Sequence, residues 1–243
     1  MGGEGSYWEE SRSHRYSLVF ALPLLLAYEL LLAIAPVRLQ GGTVRNGADV
    51  LLTSLFTALF GLRGPMVLMA LVIGGALVLI WRDRRSGPVR PAYFGVMLAE
   101  SVALALLFGI VVGMATMQLL GPLRTLSAGA DVMAGSALTR LTLSLGAGLY
   151  EELLFRVVLV ALIANGLRLL GFARITAGVV AVIAGALLFS AFHYVGPLGD
   201  PLRLDSFVFR ALAGVAFSAL YLTRGFGITA WTHALYDVAL LLG

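Results

Sequence analysis

Residues 138–169 read LTRLTLSLGAGLYEELLFRVVLVALIANGLRL, an apolar run with Glu151, Glu152 and Arg156 at its centre. About 20 apolar residues cover the roughly 30 Å hydrocarbon core of a bilayer. An ionisable group inside such a run is costly to bury and is a functional-site candidate by default. Working outward, the next runs are 174–194, 207–222 and 227–242, and toward the N-terminus come 91–120, 65–81 and 17–36. These predict an all-α polytopic membrane protein of seven spans. The shorter stretch 47–62, between Arg45 and Arg63, reads as interfacial or re-entrant, and would be an eighth span if it crosses.

The composition agrees with a membrane protein. Of 243 residues, 60% are hydrophobic and only 12% charged, and the mean hydropathy is +0.95. The run 17–36 is too long for a secretory signal, and no small-residue cleavage site follows it. A net charge of +4 does not point to nucleic acid, because the arginines lie in short loops rather than along a stripe. The densest cluster is Arg82, Arg84, Arg85 and Arg90. Placed in the cytoplasm, it puts the N-terminus there too if 47–62 does not cross. Cysteine is absent, which removes disulfide and thiolate chemistry from consideration. The glycine-rich stretch 121–136 is the best internal boundary. It divides the chain into a tail (1–16), an N-terminal membrane region (17–137) and a C-terminal membrane region (138–243) that carries the chemical groups.

Helical spacing sorts those groups. Neighbours on an α-helix point about 100° apart, so Glu151 and Glu152 are expected to do different jobs. Arg156, four residues after Glu152, is its expected ion-pair partner. Glu151 is then free to face a cavity, with Phe155 one turn on to exclude water. Phe189 and His193 share a face near a helix end set by Gly196 and Pro197. His233 and Asp237 share another, where the carboxylate can orient the imidazole. Gly146 and Gly148 would let a neighbouring helix approach closely. Glu29 and Glu100 lack partners at helical spacing and read as packing or cavity-lining groups. Asp49, Asp200 and Asp205 read as solvated loop residues, and His14 as a surface residue.

In order, Glu151-Glu152 with Arg156, Phe189 with His193, and His233 with Asp237 form the patterns EExxxR, FxxxH and HxxxN/D. Together they resemble the CAAX-protease and bacteriocin-processing (Abi) family of intramembrane endopeptidases, over roughly 138–243. The resemblance implies peptide-bond hydrolysis in or beside the membrane by a catalytic bundle made of the last four spans. Glu151 and His193 would activate water, and His233 would stabilise the oxyanion. Glu152, Arg156 and Phe189 would support them. Family members with Asn at the last position have a neutral donor there. A carboxylate at Asp237 only accepts, which assigns it to orienting His233.

Glu151, His193 and His233 could supply the three protein ligands of a catalytic zinc site. The HExxH pattern is missing, however, and the reading favours metal-independent glutamate chemistry with no cofactor. The expected partners are a membrane-anchored protein or peptide substrate and the lipid bilayer. Prenylated C-termini, bacteriocin or pheromone precursors and sorting signals are the substrate classes the resemblance allows. The alanine-, leucine- and arginine-rich, cysteine-free composition fits a bacterial inner membrane. The rival reading is a non-hydrolytic membrane scaffold or a proton-coupled transporter. Against transport, no inverted repeat is visible, and the polar groups lie in one half of the chain.

Overall fold

The computed structural model describes residues 6–36, 38–39, 42–83, 89–120, 136–196 and 199–242. Most of the expected boundary at 121–136, and Arg84 and Arg85 of the arginine cluster, lie outside the described residues. The chain forms helices α1 (Tyr7–Ser11), α2 (His14–Ile34), α3 (Gly47–Phe60), α4 (Gly64–Asp83) and α5 (Ala92–Leu120). After these come α6 (Ala137–Gly146), α7 (Ala161–Leu169), α8 (Arg174–Phe192), α9 (Leu204–Arg224) and α10 (Phe226–Leu242). A two-residue antiparallel ladder, Arg38–Leu39 with Gly42–Thr43, lies between α2 and α3.

Among the described residues, five helical stretches are long and apolar enough to cross a bilayer: His14–Ile34, Gly47–Asp83, Ala92–Leu120, Arg174–Phe192 and Leu204–Arg224. The sequence reading counts two more. One is α10, which is 17 residues long, and the other is the run Ala137–Leu169, which is not a uniform α-helix. Within Gly47–Asp83 the chain turns at Gly61, whose φ of 61° suits a residue without Cβ. There α3 and α4 fold back on one another.

The bundle is built around α10, which packs against α2, α5, α6 and α9. Large apolar side chains such as Leu26, Leu106, Val111, Ile175 and Leu187 point outward, as a surface facing lipid requires. Small residues let the inner helices close up. A Cβ on Gly148 would sit 2.4 Å from the Ala230 carbonyl oxygen and 2.7 Å from Ala234 Cβ, so α10 lies directly against the helix that carries Glu151. The N-terminal and C-terminal membrane regions therefore share one bundle.

The helix bearing the two glutamates departs from the expected geometry. From Ala147 to Glu151 and from Leu153 to Val160 it is π-helical, with i→i+5 bonding. Such wide turns are rare and concentrate at functional sites. The turn angle between neighbours is then smaller than the α-helical 100°, which changes what adjacent side chains can reach.

Candidate active site

Three helix segments converge on one buried point. The π-helical segment supplies Glu151 and Glu152, the C-terminal end of α8 supplies Phe189 and His193, and the middle of α10 supplies His233 and Asp237. His193 is the C-cap residue of α8, and the chain reverses soon after at Gly196, whose φ is 93°. Glu151, Glu152, Arg156 and His233 are all buried.

Hydrogen bonding fixes the orientation of both imidazoles. His193 Nδ1 lies 2.8 Å from the Phe189 carbonyl oxygen. A carbonyl only accepts, so Nδ1 carries the proton and Nε2 faces away with its lone pair. His233 Nδ1 lies 2.7 Å from Glu152 Oε1, and the same reasoning turns its Nε2 inward. Glu151 Oε2 is 3.9 Å from His193 Nε2 and 4.0 Å from His233 Nε2. Those spans are too long for direct hydrogen bonds and suit a small polar group held between them. Among the described residues Glu151 Oε2 has no hydrogen-bond partner. A buried orphan of this kind is a mark of reactive sites.

The adjacent carboxylates thus reach opposite nitrogens of one ring. The expectation that they face different ways holds only in part, because the π turns bring both to His233. Glu152 also lies 3.1 Å from Arg156 Nη1, so the expected ion pair is present. The orienting role expected of Asp237 falls geometrically to Glu152. Asp237 Oδ2 stands 3.7 Å from Nε2, on the reactive side of the ring.

Aromatic rings close the site. Phe189 lies under the Arg156 guanidinium at 4.4 Å and meets His193 edge-on at 4.8 Å. Phe217 of α9 stacks on His233 at 4.4 Å and also lies 5.4 Å from Arg156. Phe155 packs edge-on to Phe189 and Phe192, at 5.2 and 5.5 Å, and helps exclude water.

Several residues that spacing left unassigned also belong to the site or its support. Asn46 Nδ2 donates to Glu151 Oε1 at 2.9 Å. Behind it, Tyr28 donates to Asp49 at 2.7 Å, and Arg45 bridges Asp49 at 2.5 Å and Glu29 at 3.0 Å. Tyr150 donates to Glu29 at 3.1 Å. Asp49, expected in solvent, is 1% exposed: it lies in the first turn of α3 and is drawn inward by Arg45 and Tyr28. Asp200 pairs with Arg210, and Asp205 with Arg203 at 2.8 Å. Glu100 is held by Arg224 and Tyr7.

Among the described residues, no group of three or more histidine, aspartate or glutamate side chains is arranged to hold a metal ion. Glu151, His193 and His233 come nearest. Zinc bonds of about 2.0–2.2 Å would draw the ligand atoms closer together than 3.9–4.0 Å.

Residues 133–239 match the family model for Rce1-like proteins, described as type II CAAX prenyl endopeptidase Rce1-like. That span includes Glu151, His193, His233 and Asp237. No curated protein and no solved structure matches the chain. The family is one of proteases, in agreement with the CAAX-protease resemblance of the three motifs. The chain is an integral membrane protein that, over residues 133–239, is similar to the Rce1-like family of type II CAAX prenyl endopeptidases.

Proposed function

We propose that the chain hydrolyses a peptide bond of a membrane-anchored protein or peptide precursor in a bacterial inner membrane, using water activated by Glu151 and His193. The observation that carries this reading is the convergence of Glu151 Oε2 with the inward-facing Nε2 atoms of His193 and His233 around one buried point. A water there donates one proton toward Glu151 Oε2 and is held by His193 Nε2. Glu151 takes the proton as the hydroxide attacks the scissile carbonyl carbon. His233, in its doubly protonated form, donates Nε2–H to the developing oxyanion, with Glu152 and Asp237 as counter-charges beside it. Collapse of the tetrahedral intermediate breaks the C–N bond, and Glu151 returns its proton to the leaving amine.

The burial of Glu151, Glu152 and Arg156 supports the division of labour. Glu152, backed by Arg156, holds the His233 ring in one orientation. Phe155, Phe189 and Phe217 keep bulk water away from the carboxylate, so that its interactions act in a medium of low polarity.

Oxygen-18 water tests the chemistry. Single-turnover cleavage should place the label in the new carboxyl terminus of the substrate and none in Glu151. Label in the Glu151 carboxyl group would instead mean covalent attack by the side chain. Turnover should also survive exhaustive chelation. One tightly bound zinc per active molecule, with activity lost on its removal and restored on its return, would replace the glutamate-only mechanism.

A further inference from the structure

Asn46 lies outside the matched region and outside every motif, yet among the described residues it is the side chain that hydrogen-bonds the Glu151 carboxylate: Nδ2 donates to Oε1 at 2.9 Å. Its amide orientation is fixed from both ends. Asn46 Oδ1 accepts from the Ala48 backbone N–H at 2.9 Å, capping the N-terminus of α3. A backbone N–H requires an acceptor, so the oxygen must point there. The amino group then necessarily faces the carboxylate, which only accepts.

The residue itself is held from behind. The Asn46 backbone N–H donates to Tyr28 Oη at 3.2 Å, and Tyr28 is in turn anchored on Asp49 at 2.7 Å. Asn46 is buried. Its approach depends on Gly146, where a Cβ would lie 2.9 Å from Asn46 Cβ and 2.5 Å from Tyr28 Cε2.

Building on the proposed hydrolytic function, we infer that Asn46 is a positioning residue for Glu151. Its amide ties up Oε1, fixes the rotation of the carboxylate and leaves Oε2 as the oxygen presented to His193 and His233. The α3–α4 hairpin of the N-terminal region is therefore part of the working site. The N-cap serves as the rigid mount for the donor, because a helix terminus holds the capping side chain in one conformation.

Two cap-preserving variants separate this role from simple stabilisation. Serine caps about as well as asparagine but is too short to reach Glu151, and aspartate caps but cannot donate. The probe is a synthetic peptide spanning the junction at which the wild-type protein cuts in membranes, assayed with purified full-length protein in lipid vesicles. Asn46→Ser should lower kcat about 10–100-fold, the effect expected on losing one hydrogen bond to a charged group. KM should stay within about twofold, with kcat counted per folded molecule; Asn46→Asp should lose at least as much kcat. Wild-type kcat in both variants overturns the inference, as does a loss of activity that only tracks a loss of folded protein. Glu151→Gln in the same assay separates the two levels. If it turns over like wild type, or if wild type cuts nothing, the hydrolytic reading itself fails. If Glu151→Gln is inactive while Asn46→Ser is fully active, only the role of Asn46 fails.

Discussion

Two arginine–carboxylate clusters in this molecule, one buried and one partly buried, have the same ingredients and opposite finish. At one end of α9, Arg224 grips Glu100 with two nitrogens, at 2.6 and 2.7 Å, donates to Ser11 at 2.9 Å and to the Trp8 carbonyl at 3.3 Å, and lies 4.2 Å over the Trp8 ring. Tyr7 completes the cluster by donating to Glu100 at 2.5 Å. In the candidate active site, Arg156 approaches Glu152 at 3.1 Å, but none of its side-chain nitrogens makes a well-formed hydrogen bond among the described residues. Glu152 spends Oε1 on His233, and its Oε2 has no hydrogen-bond partner. The first cluster is a clasp that ties the N-terminal segment to α5 and α9, with every guanidinium nitrogen and both carboxylate oxygens hydrogen-bonded. The second holds capacity in reserve, as expected where a substrate and a reaction must be accommodated.

The contrast can be broken by substitution. Arg224→Met removes the cation from a well-made, partly buried pair and leaves Glu100 with only the Tyr7 hydroxyl, so it should cost stability, by no more than the roughly 3–5 kcal/mol of a fully buried broken pair. Turnover per folded molecule should stay at the wild-type level. Denaturant titration in mixed micelles, combined with an active-fraction count, checks both halves. Glu152→Gln should have the reverse profile, lowering kcat per folded molecule about 10–100-fold because His233 loses the charge that orients it. A kcat equal to wild type would reduce Glu152 to a packing residue.

Replacing both members of the site pair sharpens the point. Glu152→Leu with Arg156→Met should be neutral or up to about 4 kcal/mol stabilising, since a poorly bonded buried ion pair contributes little beyond an apolar one. Activity should be lost all the same. The corresponding double change at Glu100 and Arg224 should destabilise. Similar stability changes for the two double variants would erase the distinction between clasp and site.

The smallest effect concerns Tyr7, whose phenol is pushed up to about 12 by burial and by its hydrogen bond to Glu100. A raised folded-state value means that the folded form holds the proton more tightly. Its contribution to stability is therefore complete below pH about 10 and lost as the pH rises toward 12. Tyr7→Phe should be less stable than wild type at pH 8, and the gap should close by pH 12. A gap that does not vary with pH would mean that the ring, rather than the hydroxyl, matters.

The sequence disclosed what lay within one helical turn. Glu152 with Arg156, Phe189 with His193, and His233 with Asp237 are each four residues apart, and helical periodicity alone puts them on common faces. Contacts between distant segments were invisible to that logic. Asn46 is 105 residues from Glu151, and Glu100 is 124 from Arg224. Asp49 looked like a solvated loop residue because nothing near it in the chain shows that Tyr28 and Arg45 enclose it. Phe217 carried no signal, since an aromatic residue in an apolar helix is ordinary until its neighbour proves to be His233. The π-helical turns were missed because the periodicity rule assumes 3.6 residues per turn. That single departure lets adjacent glutamates share one imidazole.

The most direct measurement compares protein termini in membranes and secreted fractions from cells carrying the wild-type chain and cells carrying Glu151→Gln at equal abundance. The account predicts a discrete set of new termini in membrane-associated proteins with wild type, all absent with Glu151→Gln. Identical termini in the two samples, with both proteins folded in the membrane, would contradict it.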